Sequence, residues 1–267
     1  MSVGVLYDAT KCIGCRGCQV ACKQWNERKV NETTNYGSLE NPPQLNSKTV
    51  TKIRFTETDY EGKFHFVFTK LQCMHCEHPA CAEACPVSAL QKQVEGPVTY
   101  DDKRCFGCRY CMVVCPFGIP TFDWDLPVPW IRKCTFCFDR VSNGLKPACV
   151  TTCPSGALKF GDREELLTEA RARIKAEPDR YVNHIYGEKE VGGTSWLYLS
   201  SIPFEILGLP KLQEEAVVVN VERAMSFVPP VLVGVAAIMT GIYWVAKRRD
   251  NNGKKAAENK KEGAVKK

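Results

Sequence analysis

Sixteen cysteines, all confined to four runs of four, constrain this 267-residue chain more than any other feature. They stand at Cys12, Cys15, Cys18 and Cys22; at Cys73, Cys76, Cys81 and Cys85; at Cys105, Cys108, Cys111 and Cys115; and at Cys134, Cys137, Cys149 and Cys153. So many thiols need a partner, and their spacing decides which. Structural zinc uses pairs of C-x2-C and leaves the third cysteine of each compact run without a role. Disulfides do not favour four thiols within eleven residues, as at Cys12–Cys22, in repeated runs. A C-x-x-C-H haem attachment is absent, because Arg16, Glu77, Arg109 and Phe138 follow the second cysteines.

Run three reads Cys105-x2-Cys108-x2-Cys111-x3-Cys115-Pro116, the spacing that binds clusters in bacterial ferredoxins. Run one keeps that spacing with Lys23 in place of the proline. Run two, Cys73-x2-Cys76-x4-Cys81-x3-Cys85-Pro86, inserts two residues, and run four, Cys134-x2-Cys137-x11-Cys149-x3-Cys153-Pro154, a longer loop. Three thiolates on a tight turn reach three irons of one cubane. The fourth, further on, ligates the neighbouring cluster. Sixteen thiolates at four per cubane predict four [4Fe–4S] clusters, with iron held through all sixteen cysteines.

The chain repeats itself. Val5–Cys22 matches Val98–Cys115 at 10 of 18 positions, and Pro79–Leu90 matches Pro147–Leu158 at 7 of 12. The runs therefore follow the order A-B-A-B. After run two, Ala89–Gln93, a Glu95-Gly96-Pro97 turn and Val98–Asp101 predict a short hairpin into run three. The same half-strands recur at the ends as Ala157–Phe160 and Val5–Asp8, which would pair in space. That favours a nested arrangement, run two with run three and run one with run four. The link from Cys115 to Cys134 is equally short, so pairing of adjacent runs stays open.

Charge is concentrated in one place. The formal net charge is +6, and residues 247–267 carry nine Lys/Arg against three acids. The remaining body is balanced, which argues against a nucleic-acid-binding surface. Immediately before that tail, Ala224–Ala246 is 23 residues without a charge. As a helix it would reach about 34 Å, enough for a hydrocarbon core of about 30 Å. Pro229 and Pro230 fall near its expected start, and Tyr243 and Trp244 near its far end. Only Lys211 and Arg223 are basic in the 21 residues before it, so the positive-inside rule places the tail in the cytoplasm and residues 1–223 outside. Met1–Asp8 is short, with no basic n-region and no long apolar stretch of a signal peptide, which predicts export in the folded state beside a partner that carries one.

Elsewhere the sequence predicts scaffold. Asn26–Phe66 reads as a long insertion. Asp162–Glu177 has helical spacing opened by Asp162 and Glu165. Gly187–Thr194 is glycine-rich without a nucleotide-binding motif. Of His65, His75, His78 and His184, two lie within run two and would either tune its cluster or simply pack.

The residues that carry a family resemblance span nearly the whole chain. They include Tyr7-Asp-Ala-Thr-Lys-Cys12-Ile-Gly-Cys15-Arg-Gly-Cys18-Gln-Val-Ala-Cys22-Lys-Gln-Trp-Asn26, Cys73-Met-His-Cys76, Lys133-Cys-Thr-Phe-Cys137, Phe160-Gly-Asp-Arg-Glu-Glu165, Gly192-Gly-Thr194 and the single C-terminal span. The chain resembles the iron–sulfur (beta) subunit of membrane-bound, quinone-linked formate dehydrogenases. The four-run core alone is also similar to electron-transfer subunits of other molybdopterin enzymes and of some hydrogenases, which keeps such a relay and anchor as the alternative. The resemblance implies an α+β fold of two ferredoxin-like dicluster modules, tandem or nested, and one C-terminal transmembrane helix. It implies no catalytic site in this chain, but a relay of electrons through four clusters. The donor would be a molybdopterin catalytic (alpha) subunit, with molybdenum or tungsten; the acceptor, a membrane b-type cytochrome (gamma) subunit and quinone. Family members pair their runs in the nested way. The ligand sets would then be Cys12, Cys15, Cys18 and Cys153; Cys22, Cys134, Cys137 and Cys149; Cys73, Cys76, Cys81 and Cys115; and Cys85, Cys105, Cys108 and Cys111. The expected division is a four-cluster domain over 1–160 with the insertion 26–66, an extension over 161–223, a span over 224–246 and a basic tail over 247–267. A single pass of the cytoplasmic (inner) membrane, in contact with lipid, would leave the cluster domain periplasmic.

Overall fold

A computed structural model of the chain describes residues 2–35, 37–127 and 130–265, without side chains at 220–225, 250, 251 and 253–265. Most of the basic tail's side chains, Lys266 and Lys267 among them, thus lie outside the described residues. The chain forms two units, Met1–Val218 and Val219–Lys267.

The first unit is organised around β1 (Val3–Asp8). Two long strands follow, β2 (Lys52–Tyr60) and β3 (Lys63–Leu71), then the short β4 (Leu90–Lys92), β5 (Val98–Tyr100), β6 (Thr121–Phe122) and β7 (Ile131–Arg132), and last β8 (Leu158–Asp162) and β9 (Trp196–Leu199). Helices α1 (Gly17–Trp25), α2 (Ala80–Glu83), α3 (Tyr110–Val113), α4 (Phe138–Val141), α5 (Ala148–Thr151) and α6 (Arg163–Ala176) lie between them.

Both strand pairs expected from the repeat are present. β4 and β5 form an antiparallel hairpin, with Leu90 opposite Tyr100. β1 pairs antiparallel with β8, with Val5 opposite Phe160. β9 adds to the other edge of β1, in parallel. Side chains alternate across a strand. Val5, Tyr7, Trp196 and Tyr198 therefore face a core shared with Cys18, Phe136 and Cys149, while Leu6, Leu197 and Leu199 face Leu166, Leu167 and Ala170 of α6. All four residues of β9 are buried because both faces of the sheet are covered. The segment expected as an extension after residue 160 thus packs into the same unit as the cysteine runs. Asp162 caps α6, its Oδ1 accepting the amides of Glu164 and Glu165 at 2.9 and 3.3 Å.

The expected insertion carries structure of its own. β2 and β3 pair over nine residues each, joined by Glu61-Gly62 with φ 51° and 72°, the signature of a type I′ turn. The rings of Phe55, Phe66 and Phe68 stack along this hairpin with centroids 4.9–6.1 Å apart.

Asp8 ties the sheet to α6. It is fully buried, and its Oδ2 accepts from Arg173 Nη1 at 2.8 Å and Tyr181 OH at 2.9 Å. Its Oδ1 accepts from the Thr10 hydroxyl at 2.7 Å. The Thr10 N–H also donates to Oδ1, at 3.0 Å, so removing the carboxylate takes the acceptor from four donors. Asp8→Ala is expected to destabilise the unit by about 3 kcal/mol, as breaking a buried pair does, and to lower the thermal unfolding midpoint measured with the iron content unchanged. An unchanged midpoint would show that Arg173 finds water instead.

In the second unit, α7 (Val217–Val265) carries one stretch long and apolar enough to cross a membrane, Ser226–Arg249, with mean hydropathy 1.8. Pro229 and Pro230 sit inside this helix rather than near its start. The charges of Glu222 and Arg223 end an apolar count, but they do not end a helix.

Candidate iron–sulfur centres

Each run builds the same local turn. The residue just before the second cysteine is left-handed in all four: Gly14 (φ 66°), His75 (φ 50°), Gly107 (φ 80°) and Phe136 (φ 60°). Glycine takes this conformation without cost, and His75 and Phe136 hold it at about 1–2 kcal/mol each. At Gly14 a side chain would also strike the Phe68 ring, 2.8 Å from where its Cβ would stand. The third cysteine of each run, Cys18, Cys81, Cys111 or Cys149, lies in a helix, α1, α2, α3 or α5. The x3 spacing then carries the fourth cysteine about 6 Å along the axis, one turn on. After Cys-Pro the chain turns again through Ser88, Gly118 or Gly156, all with positive φ.

The helices pack in pairs, α1 on α5 and α2 on α3. Cys12, Cys15, Cys18 and Cys153 line one small cavity, with Tyr7 and Ile53. Cys85, Cys105, Cys108 and Cys111 line another, with Phe106 and Ile131. The other eight thiols sort by their fields. Cys76 and Cys81 each feel Cys73 and Cys115, and Cys134 and Cys137 each feel Cys22 and Cys149. Weaker fields link these groups in a line. Cys18 feels Cys149, Cys134 feels Cys73, and Cys81 feels Cys111.

The donor set fits a polynuclear iron site. All sixteen cysteines are free thiols. Among the described residues no three His, Cys, Asp or Glu side chains converge as a single ion requires; the two lined quartets surround a cavity instead. Burial pushes the thiols of Cys18, Cys81 and Cys111 up to about 12, and that of Cys137 to about 11. Such thiols give up their protons only to a bound cation. Donors are already aimed at the sulfurs: Ala89 N–H to Cys85 Sγ at 3.2 Å, Phe136 N–H to Cys134 Sγ at 3.3 Å and Asn26 Nδ2 to Cys22 Sγ at 3.7 Å.

Other residues hold the runs in place. Run two lies along the start of β9, where Ser195 N–H donates to His75 O at 3.0 Å and Glu77 N–H to Gly193 O at 2.9 Å. This is the role of the glycine-rich stretch. His75 is buried and His78 exposed. Burial, then the charges of Lys133 and Lys92, push the His75 imidazole well below its usual range, so it is neutral. Its Nδ1 accepts the Val98 N–H at 2.9 Å, which leaves the proton on Nε2, a buried donor without a partner among the described residues. Three lysines, Lys52, Lys70 and Lys133, are buried without having been expected to be, and two of them bear on the runs. Lys133 donates to the carbonyls of Val98 and Cys134. Lys70 donates to Thr51 Oγ1 at 2.6 Å and Gln72 Oε1 at 2.9 Å. No sequence signal marks either as buried, since lysine ordinarily faces water.

Comparison with known proteins agrees with this chemistry. Two family models, each described as a 4Fe-4S dicluster domain, match residues 64–163 and 11–89. The nitrate-inducible formate dehydrogenase iron–sulfur subunit of Escherichia coli K12 is 40% identical over 215 residues, covering 78% of this chain and 72% of that protein. The formate dehydrogenase iron–sulfur subunit of Haemophilus influenzae is 36% identical over 248 residues, covering 90% and 77%. The hydrogenase-2 operon protein HybA of Escherichia coli O157:H7 is 34% identical over 281 residues, covering 94% and 86%. Two dicluster domains and sixteen cysteines give the chain four [4Fe–4S] clusters.

Proposed function

The chain belongs to the family of four-cluster iron–sulfur subunits that includes those of formate dehydrogenases, and from that premise we propose that it relays electrons from a molybdopterin formate dehydrogenase subunit to a membrane b-type cytochrome and quinone. When bound, [4Fe–4S] clusters accept and release single electrons at potentials set by their surroundings. The protein's part is to hold, space and insulate them.

The nested ligand sets are part of this proposal. They are supported by the cavity shared by Cys12, Cys15, Cys18 and Cys153, and by the one shared by Cys85, Cys105, Cys108 and Cys111. The fields linking Cys115 to Cys73 and Cys22 to Cys134 support the other two sets. The line of quartets orders the sites from the Cys12 set through the Cys22 and Cys73 sets to the Cys85 set. Ser226–Arg249 anchors the chain as a single pass of the inner membrane, in contact with lipid. The basic tail is cytoplasmic and the cluster unit periplasmic.

The observation that carries the reading is sixteen free thiols on two dicluster domains. Iron analysis of the purified complex is expected to give about sixteen irons in this chain, four per cubane, with a molybdopterin subunit co-purifying. About eight irons, or stoichiometric zinc, would overturn it. The match to the hydrogenase-2 operon protein covers more of this chain, 94% against 78%, and favours hydrogenase as the second reading. A co-purifying hydrogenase large subunit would establish that one.

A further inference from the structure

Lys70 on β3 is only 1% exposed, yet its described partners are two neutral oxygens and the face of Trp196, 4.5 Å from Nζ to the ring centroid. Lys52, buried on the same hairpin, shows the ordinary solution: it pairs with the carboxylate of Glu40. An ammonium taken out of water costs several kcal/mol unless an anion faces it. The anions that would face it are the clusters: Trp196, whose face Lys70 meets, packs in one core with Cys18 and Cys149, and the charge of Lys70 reaches the thiols of Cys149, Cys18, Cys134 and Cys22. Cys18 belongs to the first ligand set and the other three to the second. A cubane held by four thiolates is anionic, and one electron makes it more so. A fixed cation beside it favours the reduced state.

We propose that Lys70 is the buried counter-charge of the two clusters held by runs one and four, and that it raises the reduction potentials of both. Lys70 is a positioning residue that acts through charge. The proposal rests on the nested ligand sets.

The test is a potentiometric titration of the intact complex followed by EPR. In Lys70→Met, two of this chain's four one-electron steps are expected to move to lower potential. The reduction equilibrium of each should fall at least tenfold, equivalent to 59 mV for one electron. The other two should change less than twofold. Lys70→Arg should restore both steps. Thr51→Val removes a hydrogen bond from Lys70 but leaves its charge, and should move no step more than twofold. Four steps moving together, no step moving in an iron-replete Lys70→Met complex, or a Thr51→Val shift equal to that of Lys70→Met would each overturn the proposal. If Lys70→Met loses iron, Lys70→Gln replaces it. Iron loss in both neutral variants but not in Lys70→Arg supports a need for the charge, and loss in all three assigns Lys70 to packing. Wild-type protein with fewer than four steps would instead refute the four-cluster reading on which the proposal stands.

Discussion

Replacing Cys153 with serine is expected to damage the same cluster as replacing Cys12. Cys153 lies 141 positions further along the chain than Cys12, yet the two line one cavity with Cys15 and Cys18. If adjacent runs shared clusters instead, Cys153 would serve the irons of Cys105, Cys108 and Cys111. Those three stand around a different cavity, with Cys85. EPR spectra of reduced Cys12→Ser, Cys105→Ser and Cys153→Ser complexes separate the two arrangements. The Cys153→Ser spectrum should lose or broaden the signal lost in Cys12→Ser and keep the one lost in Cys105→Ser. The iron held by this chain should fall from about sixteen to about fifteen or about twelve, because a cubane short of one thiolate sheds one iron or all four. A Cys153→Ser spectrum matching Cys105→Ser would establish adjacent pairing.

Protease added to intact spheroplasts is expected to cut within residues 1–223 and to spare a tag placed after Lys267. The expectation rests on two independent facts. Nine basic residues follow the apolar stretch and two precede it at the same distance, and the excess of Lys and Arg marks the cytoplasmic side. A domain whose folding free energy is largely metal-binding free energy must also fold where iron is supplied. It would then cross the membrane intact, beside a partner with an export signal. A protected body with a cleaved tag would reverse the orientation and place quinone reduction on the opposite side.

The chemistry of this protein was written in its cysteine spacing. Three thiols within one turn and a fourth one helical turn on are a local arrangement, set by backbone geometry over a dozen residues. The A-B-A-B repeat carried more, down to the pairing of Val5–Asp8 with Ala157–Phe160, because both half-strands retain the pattern of the hairpin that joins runs two and three. The cap at Asp162 was equally local and equally legible. The β2–β3 hairpin was less so. Its Glu61-Gly62 turn and alternating phenylalanines are present in the sequence, but the polar composition around them read as insertion.

What lay beyond the sequence was everything that depends on partners distant along the chain. β9 reads as four apolar residues, and only the sheet shows that it lies parallel to β1 and holds run two through His75 and Glu77. Lys70 and Lys133 are ordinary lysines in sequence. Burial of an ammonium is decided by which anions the fold brings near it, and those anions come from runs separated by more than a hundred residues. Ligand types were therefore settled locally by the chain itself. The environment of the ligands, and with it the potentials of the relay, came only from tertiary structure, because electrostatic fields act through space and not along the backbone.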